Sequence, residues 1–126
     1  MKTSFDIVTD VISLINVPAV THNLDGKIWP FVRPDNREKV DITVGLLAGT
    51  NEWLQEAIVN IRIHASDFYT FNSVSQIILP LVESQYRDTF YTEVDNSGKL
   101  ITNPDGTRFF RIRVHYYSIQ SNYKKI

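Results

Sequence analysis

Between Thr107 and Gln120 the chain reads TRFFRIRVHYYSIQ. Phe110, Ile112, Val114 and Tyr116 alternate there with Arg111, Arg113, His115 and Tyr117. A period of two predicts a β-strand with one apolar face and one cationic, aromatic face. EAIVNIRIHASD repeats the pattern, with Ala57, Val59, Ile61, Ile63 and Ala65 facing one way and Asn60, Arg62 and His64 the other. VDITVGLLAG sets Val40, Ile42, Val44 and Leu46 against Asp41, Thr43, Gly45 and Leu47, a third strand ending at Gly49. GKIWPFVRP, residues 26–34, has extended character, but Pro30 has no N–H for a ladder and confines the segment to a sheet edge. The polar RPDNREK that follows, residues 33–39, predicts an exposed loop. DTFYTEVDNSGKLI predicts a strand, a turn at Asp95–Gly98 and a second strand, and NPDGT, residues 103–107, a tight turn into the closing strand.

Two segments follow a helical period instead. Phe5, Val8, Val11, Ile12 and Ile15 recur at three- and four-residue spacing. Thr3 or Ser4 can cap this helix, Asp6 suits the positive end of its dipole, and Asn16, Pro18 and THNLDG end it. In TFNSVSQIILPLVESQYR the apolar face is Phe71, Val74, Ile77, Ile78, Leu81 and Val82, with Pro80 expected to kink or split the helix near Gln76. Strand runs divided by single helices predict an α+β fold, a mainly antiparallel sheet with two helices packed on one face. Residues 1–126 fit one domain, with the polar SNYKKI, 121–126, as a mobile tail.

A net charge of −1 exerts no global pull on nucleic acid or acidic membrane, so any basic surface is local. The absence of cysteine removes disulfides, thiolate nucleophiles and cysteine-ligated metals. No apolar run approaches the roughly 18 residues of a membrane span. Asp6 and Asp10 interrupt the first apolar stretch, which therefore reads as a folded helix rather than an export leader, and the chain as cytoplasmic where it is made. His64 and His115 lie on the polar faces of two strands; on neighbouring strands they could form a two-histidine site, yet no third soft ligand accompanies them. There is no HExxH, no glycine-rich phosphate loop and no GxSxG elbow. No catalytic residue, metal site or cofactor is predicted. The basic faces remain. Arg62, His64, Arg111 and Arg113 would form one cationic sheet surface if stacked, read either as an ordinary solvated face, as a contact for phosphates, or as a contact for acidic groups of a partner subunit. Arg33, Arg37 and Lys39 in the 33–39 loop could reach a neighbouring chain, while Trp29 and Trp53 read as core or interface aromatics.

In layout the chain resembles the small tail-completion (tail-terminator) proteins of long-tailed bacteriophages and prophages. The likeness runs through LINVPAV at the end of the first helix, GKIWPFVRP, DITVGL, AIVNIRIHA, the helix VSQIILPLVESQY, and NPDGTRFFRIRVHYYSI. The resemblance implies a non-enzymatic structural protein that forms a ring, commonly a hexamer, on the end of the tail tube. Such a ring stops tube polymerisation and joins the filled head, with DNA passing through its lumen without base recognition. It further implies tail-tube and head-connector partners, no membrane, and a life in the bacterial host cytoplasm before incorporation into the virion tail. An exposed sheet edge and head-to-tail contacts suit ring closure. On this reading Arg33, Arg37, Lys39, Arg62, His64, Arg111 and Arg113 contact the next subunit or the tube. Two alternatives stay open. One is a small cytosolic ligand-binding or adaptor domain with a pocket walled by Trp29, Trp53 and Tyr91. The other is an enzyme using His64 or His115 as a general base.

Overall fold

The alternating segments assemble into one six-stranded sheet in a computed structural model that describes residues 2–32, 40–49, 54–65 and 67–119. In chain order the elements are α1 (Ser4–Ile15), α2 (Pro18–Thr21), β1 (Ile28–Pro30), β2 (Asp41–Gly49), β3 (Leu54–His64), α3 (Phe68–Val82), β4 (Gln85–Tyr86), β5 (Phe90–Thr102) and β6 (Arg108–Ile119). The strand order is β1-β2-β3-β6-β5-β4. Every pairing is antiparallel except β1 with β2. The fold is therefore α+β with a mostly antiparallel sheet. Among the described residues, no helix is long and apolar enough to cross a membrane.

One face of the sheet is the core. Ile42 and Val44 of β2, Ala57, Val59, Ile61 and Ile63 of β3, and Ile112, Val114 and Tyr116 of β6 are buried beneath α1 and α3. Each such aliphatic side chain taken from water favours folding by about 1.5–3 kcal/mol. Thr3 caps α1 through a reciprocal pair: its Oγ1 accepts from Asp6 N at 3.1 Å, and Asp6 Oδ2 accepts from Thr3 N at 3.0 Å. These bonds from Thr3 hold the Asp6 carboxyl below its ordinary pKa. The buried stripe of α1 is Ile7, Val8, Val11, Leu14 and Ile15, one step round from the expected face. Phe5 consequently turns outward and stacks on Phe31, their ring centroids 6.4 Å apart.

Three local expectations are corrected. Pro80 does not split α3, which runs continuously from Phe68 to Val82. The proline sits in the last turn, where only its own missing N–H is lost. Gln85 Nε2 also donates to Pro80 O and Glu83 O, both at 3.1 Å, satisfying carbonyls at the helix end. Beyond it, Ser84 at φ 51° reverses the chain, so Gln85 and Tyr86 form an edge strand rather than prolonging the helix. Finally, Asp95–Gly98 is not a turn between two strands. It is an irregularity within the single strand β5, where Val94 opposes Val114, Asn96 opposes Arg113 and Lys99 opposes Arg111. The extra residues bulge out. Gly98 is required there, because a Cβ would stand 2.1 Å from the Phe110 ring. The NPDGT turn forms as expected, with Asn103 N donating to Thr107 O at 2.8 Å and Gly106 at φ +88°.

The N-terminus is tied to the far end of β6 on the core side. Lys2 Nζ lies 2.6 Å from Asp10 Oδ2 and donates to Tyr116 Oη at 2.9 Å, while Tyr116 Oη donates to Asp10 Oδ2 at 2.6 Å. Gln55 Nε2 donates to Lys2 O, and Gln55 Oε1 accepts from Lys2 N and from Ser118 Oγ. Burial, then the bond to Asp10, pushes the Tyr116 phenol well above its ordinary pKa of 10.0. Replacing Tyr116 by Phe should lower stability at neutral pH by about 1–2 kcal/mol, read as a reduced urea midpoint. A raised folded pKa means that the phenol's contribution is complete below its unfolded pKa and is lost as pH rises past it. Above the unfolded value of 10.0, the native chain should therefore lose stability faster than Tyr116→Phe, by up to about 1.4 kcal/mol per pH unit.

Candidate interface on the open sheet face

The face of the sheet opposite the helices presents the alternate residues of the same strands. Cross-strand register sorts them into rows. Thr43, Arg62, Arg111 and Lys99 lie opposite one another across β2, β3, β6 and β5. The next row towards one end is Asp41, His64, Phe109 and Ile101; towards the other it is Gly45, Asn60, Arg113 and Asn96. Arg62, Arg111 and Arg113 thus form one cluster, as the polar faces of the two strands suggested. Arg62 and Arg111 are direct cross-strand partners, and burial together with the Arg111 charge holds the Arg62 pKa below its ordinary value. The Arg62 guanidinium nonetheless stays charged at neutral pH. The Nε atoms of Arg111 and Arg113 are buried without a hydrogen-bond partner. The cluster's nearest ionic contact is with Asp95, whose Oδ2 is 4.0 Å from Arg113 Nη1.

His64 stands at the edge of this cluster, its Nε2 3.0 Å from Thr43 Oγ1 and its ring 5.8 Å from that of Phe109. It lies far from His115, although β3 and β6 are neighbours. His64 opposes Phe109, and His115 is six positions further along β6, about 20 Å at strand rise. The two-histidine site is therefore not assembled, and among the described residues no group of three or more His, Asp or Glu could hold a metal ion. Arg33, Arg37, Lys39 and Trp53 lie outside the described residues.

The opposite end of the open face has a different character. Tyr86, Tyr91, Tyr117 and His115 stack in series across β4, β5 and β6, with centroid spacings of 4.3, 5.8 and 4.3 Å. Glu93 accepts from Tyr91 Oη and Tyr117 Oη, both at 3.1 Å, and Glu56 Oε2 is 4.0 Å from His115 Nε2. Burial and then the bond to Glu93 raise the Tyr117 phenol above its ordinary pKa. Tyr117 belongs to the same alternation as Arg111 and Arg113, so its face was readable from spacing. Its partners Tyr91, Tyr86 and Glu93 were not, because they come from strands whose register no local pattern states.

A cleft of about 370 Å³ opens beside Arg62, lined by Phe31, Val32, Thr43, Arg62, His64, Asn103 and Phe109. Neither Trp29 nor Tyr91, expected as pocket walls, lines it. Trp29 sits opposite Thr43 on β1, its Nε1 buried without a partner, and Tyr91 belongs to the tyrosine end.

The Arg62–Arg111 contact places like charges side by side, which is unfavourable. Arg111→Gln should therefore leave stability within about 0.5 kcal/mol of the native chain or raise it. The benefit should be largest at low ionic strength and shrink in salt, because screening removes the repulsion it relieves. Urea unfolding at two salt concentrations measures this; a loss that is independent of salt would contradict it.

Comparison with known proteins leaves the open face to be interpreted on its own geometry: no protein-family model matches the chain, and no curated protein matches it.

Proposed function

We propose that this protein is a structural subunit of the tail-completion kind, forming a ring on the end of a bacteriophage or prophage tail tube, ending its polymerisation and helping to join the head. One observation carries the reading. Among the described residues the helices lie on one face of the sheet; the other face carries a cationic band at Arg62, Arg111 and Arg113, with Asp41 in the row beyond it, and an acidic, tyrosine-rich end at Glu56, Glu93, Tyr91 and Tyr117. A surface carrying a cationic patch and a separate acidic patch can meet a second copy head to tail, and a head-to-tail contact that closes produces a ring. Arg62, His64, Arg111 and Arg113 are the residues assigned to that contact or to the tube.

Light scattering of the purified chain, with negative-stain imaging in the presence of tubes of its cognate tail-tube protein, tests the reading. Rings, or caps at tube ends that stop further growth, are the expected result. The double substitution Arg111→Glu with Arg113→Glu should abolish ring closure or tube capping while leaving the far-UV circular dichroism unchanged. A chain that stays monomeric at high concentration and never decorates tubes would sink the proposal.

A further inference from the structure

Two guanidiniums held side by side repel each other. Arg62 opposes Arg111, and the ion pairs among the described residues include neither. Asp95 stands 4.0 Å from Arg113 on the flank of the cluster, with its own side chain 43% exposed. The Nε atoms of Arg111 and Arg113 are closed off from water and make no hydrogen bond. Burying donors of charged groups without acceptors is costly. Those Nε atoms face the sheet rather than solvent, and the repulsion between Arg62 and Arg111 is offset by an anion with several acceptor oxygens and more than one negative charge at the outer guanidinium nitrogens.

The cleft beside the cluster supplies the second half of a site. Its volume of about 370 Å³ falls in the range of small-molecule sites. Phe31, Val32 and Phe109 give it apolar walls, while Thr43, His64 and Asn103 place polar groups around them. Arg62 belongs to both parts. It lines the cleft, its guanidinium carbon lies 5.7 Å from the Phe109 ring centroid, and it pairs with Arg111. Its guanidinium also lies over Gly45, where a Cβ would stand 3.4 Å from Arg62 Nη1, an ordinary van der Waals distance.

We infer that Arg62, Arg111 and Arg113 bind the phosphoryl group of a small monophosphate ester, and that the adjoining cleft receives the flat apolar group to which the phosphate is attached. A phosphate ester carries a charge of about −1.5 to −2 at neutral pH and three acceptor oxygens, matching paired guanidinium forks. A carboxylate has one charge and two oxygens, and leaves one arginine unmatched. The site does not rest on the ring reading, because one chain contributes every residue of it.

Calorimetric titration of the full chain with phenyl phosphate, inorganic phosphate and benzoate, in about 0.15 M salt, tests the inference. Phenyl phosphate should saturate one site and bind about tenfold more tightly than inorganic phosphate, since burying a flat ring adds apolar contact. Benzoate should bind more weakly than phenyl phosphate. Arg62→Gln and Arg111→Gln should each weaken phenyl phosphate by about tenfold or more, while Phe109→Ala should weaken phenyl phosphate and leave inorganic phosphate unchanged. If a glutamine variant fails to fold, Arg62→Lys keeps the charge but loses the fork and should still bind several-fold more weakly. Absence of saturable phenyl phosphate binding to the native chain would overturn the inference. So would equal affinity for inorganic phosphate, or undiminished binding by folded Arg62→Gln or Arg62→Lys.

Discussion

The pairing of β3 with β6 is the constraint on which the rest of the molecule depends. These strands lie at the centre of the sheet and run in unbroken antiparallel register from Leu54 opposite Ile119 to His64 opposite Phe109. Side chains on a strand alternate strictly, so a slip of one residue on either strand would exchange its buried aliphatics for its arginines. The penalty for placing Arg62 or Arg111 beneath α1 and α3 far exceeds anything a shifted ladder could recover. The core therefore dictates the composition of the opposite face. Once Ile61 and Ile112 are opposed in the core, Arg62 and Arg111 must be opposed outside it.

That coupling explains why the open face carries two arginines directly opposite each other. Local rules disfavour like charges directly across a strand pair, and sheets usually relieve them with a carboxylate on the next strand. Here the neighbours in the same row are Thr43 on one side and Lys99 on the other, neither of which can accept the charge. At the opposite end the carboxylates are present but occupied: Glu93 is engaged by two tyrosines and Glu56 lies near His115. The three arginines thus sit together on one part of the surface, and the carboxylates of Glu56 and Glu93 on another. An external acceptor answers this arrangement, whether it belongs to a ligand or to another subunit.

The parts of this architecture legible in the sequence are those that depend on local period. Alternation over Ala57–Ile63 and Phe110–Tyr116 identified two central strands and their core faces, and three- and four-residue spacing identified α1 and α3. The NPDGT turn was legible because its residues carry their own backbone preferences. Asp95–Gly98 misled for the same reason: Asp, Asn, Ser and Gly suit a turn and a bulge alike, and only pairing against Arg111 and Arg113 distinguishes them. The cationic cluster was half legible. Spacing placed each arginine on a polar face, but the neighbourhood of Arg62 and Arg111, and the separation of His64 from His115, follow from a register between segments nearly fifty residues apart. The cleft was not legible at all, since its walls come from the β1 exit, β2, β3, the turn after β5, and β6.

The sheet edges bear on how such a chain meets other molecules. β1 contributes three paired positions and includes Pro30, and β4 contributes two, so the outermost strands are short. Beyond Thr92, β5 has no strand on its outer side among the described residues. In that stretch its register breaks twice, and Asp95, Asn96 and Ser97 are exposed. A bulged, polar strand is a poor template for edge-to-edge pairing, and short edges limit it further. Backbone ladder extension, which the sequence suggested as a route to subunit contact, is therefore the weaker route here. The open face offers what the edges lack: a fixed pattern of charge and stacked aromatics, positioned by the same register that builds the core. Recognition through side chains on that face can be specific without exposing the sheet to open-ended growth.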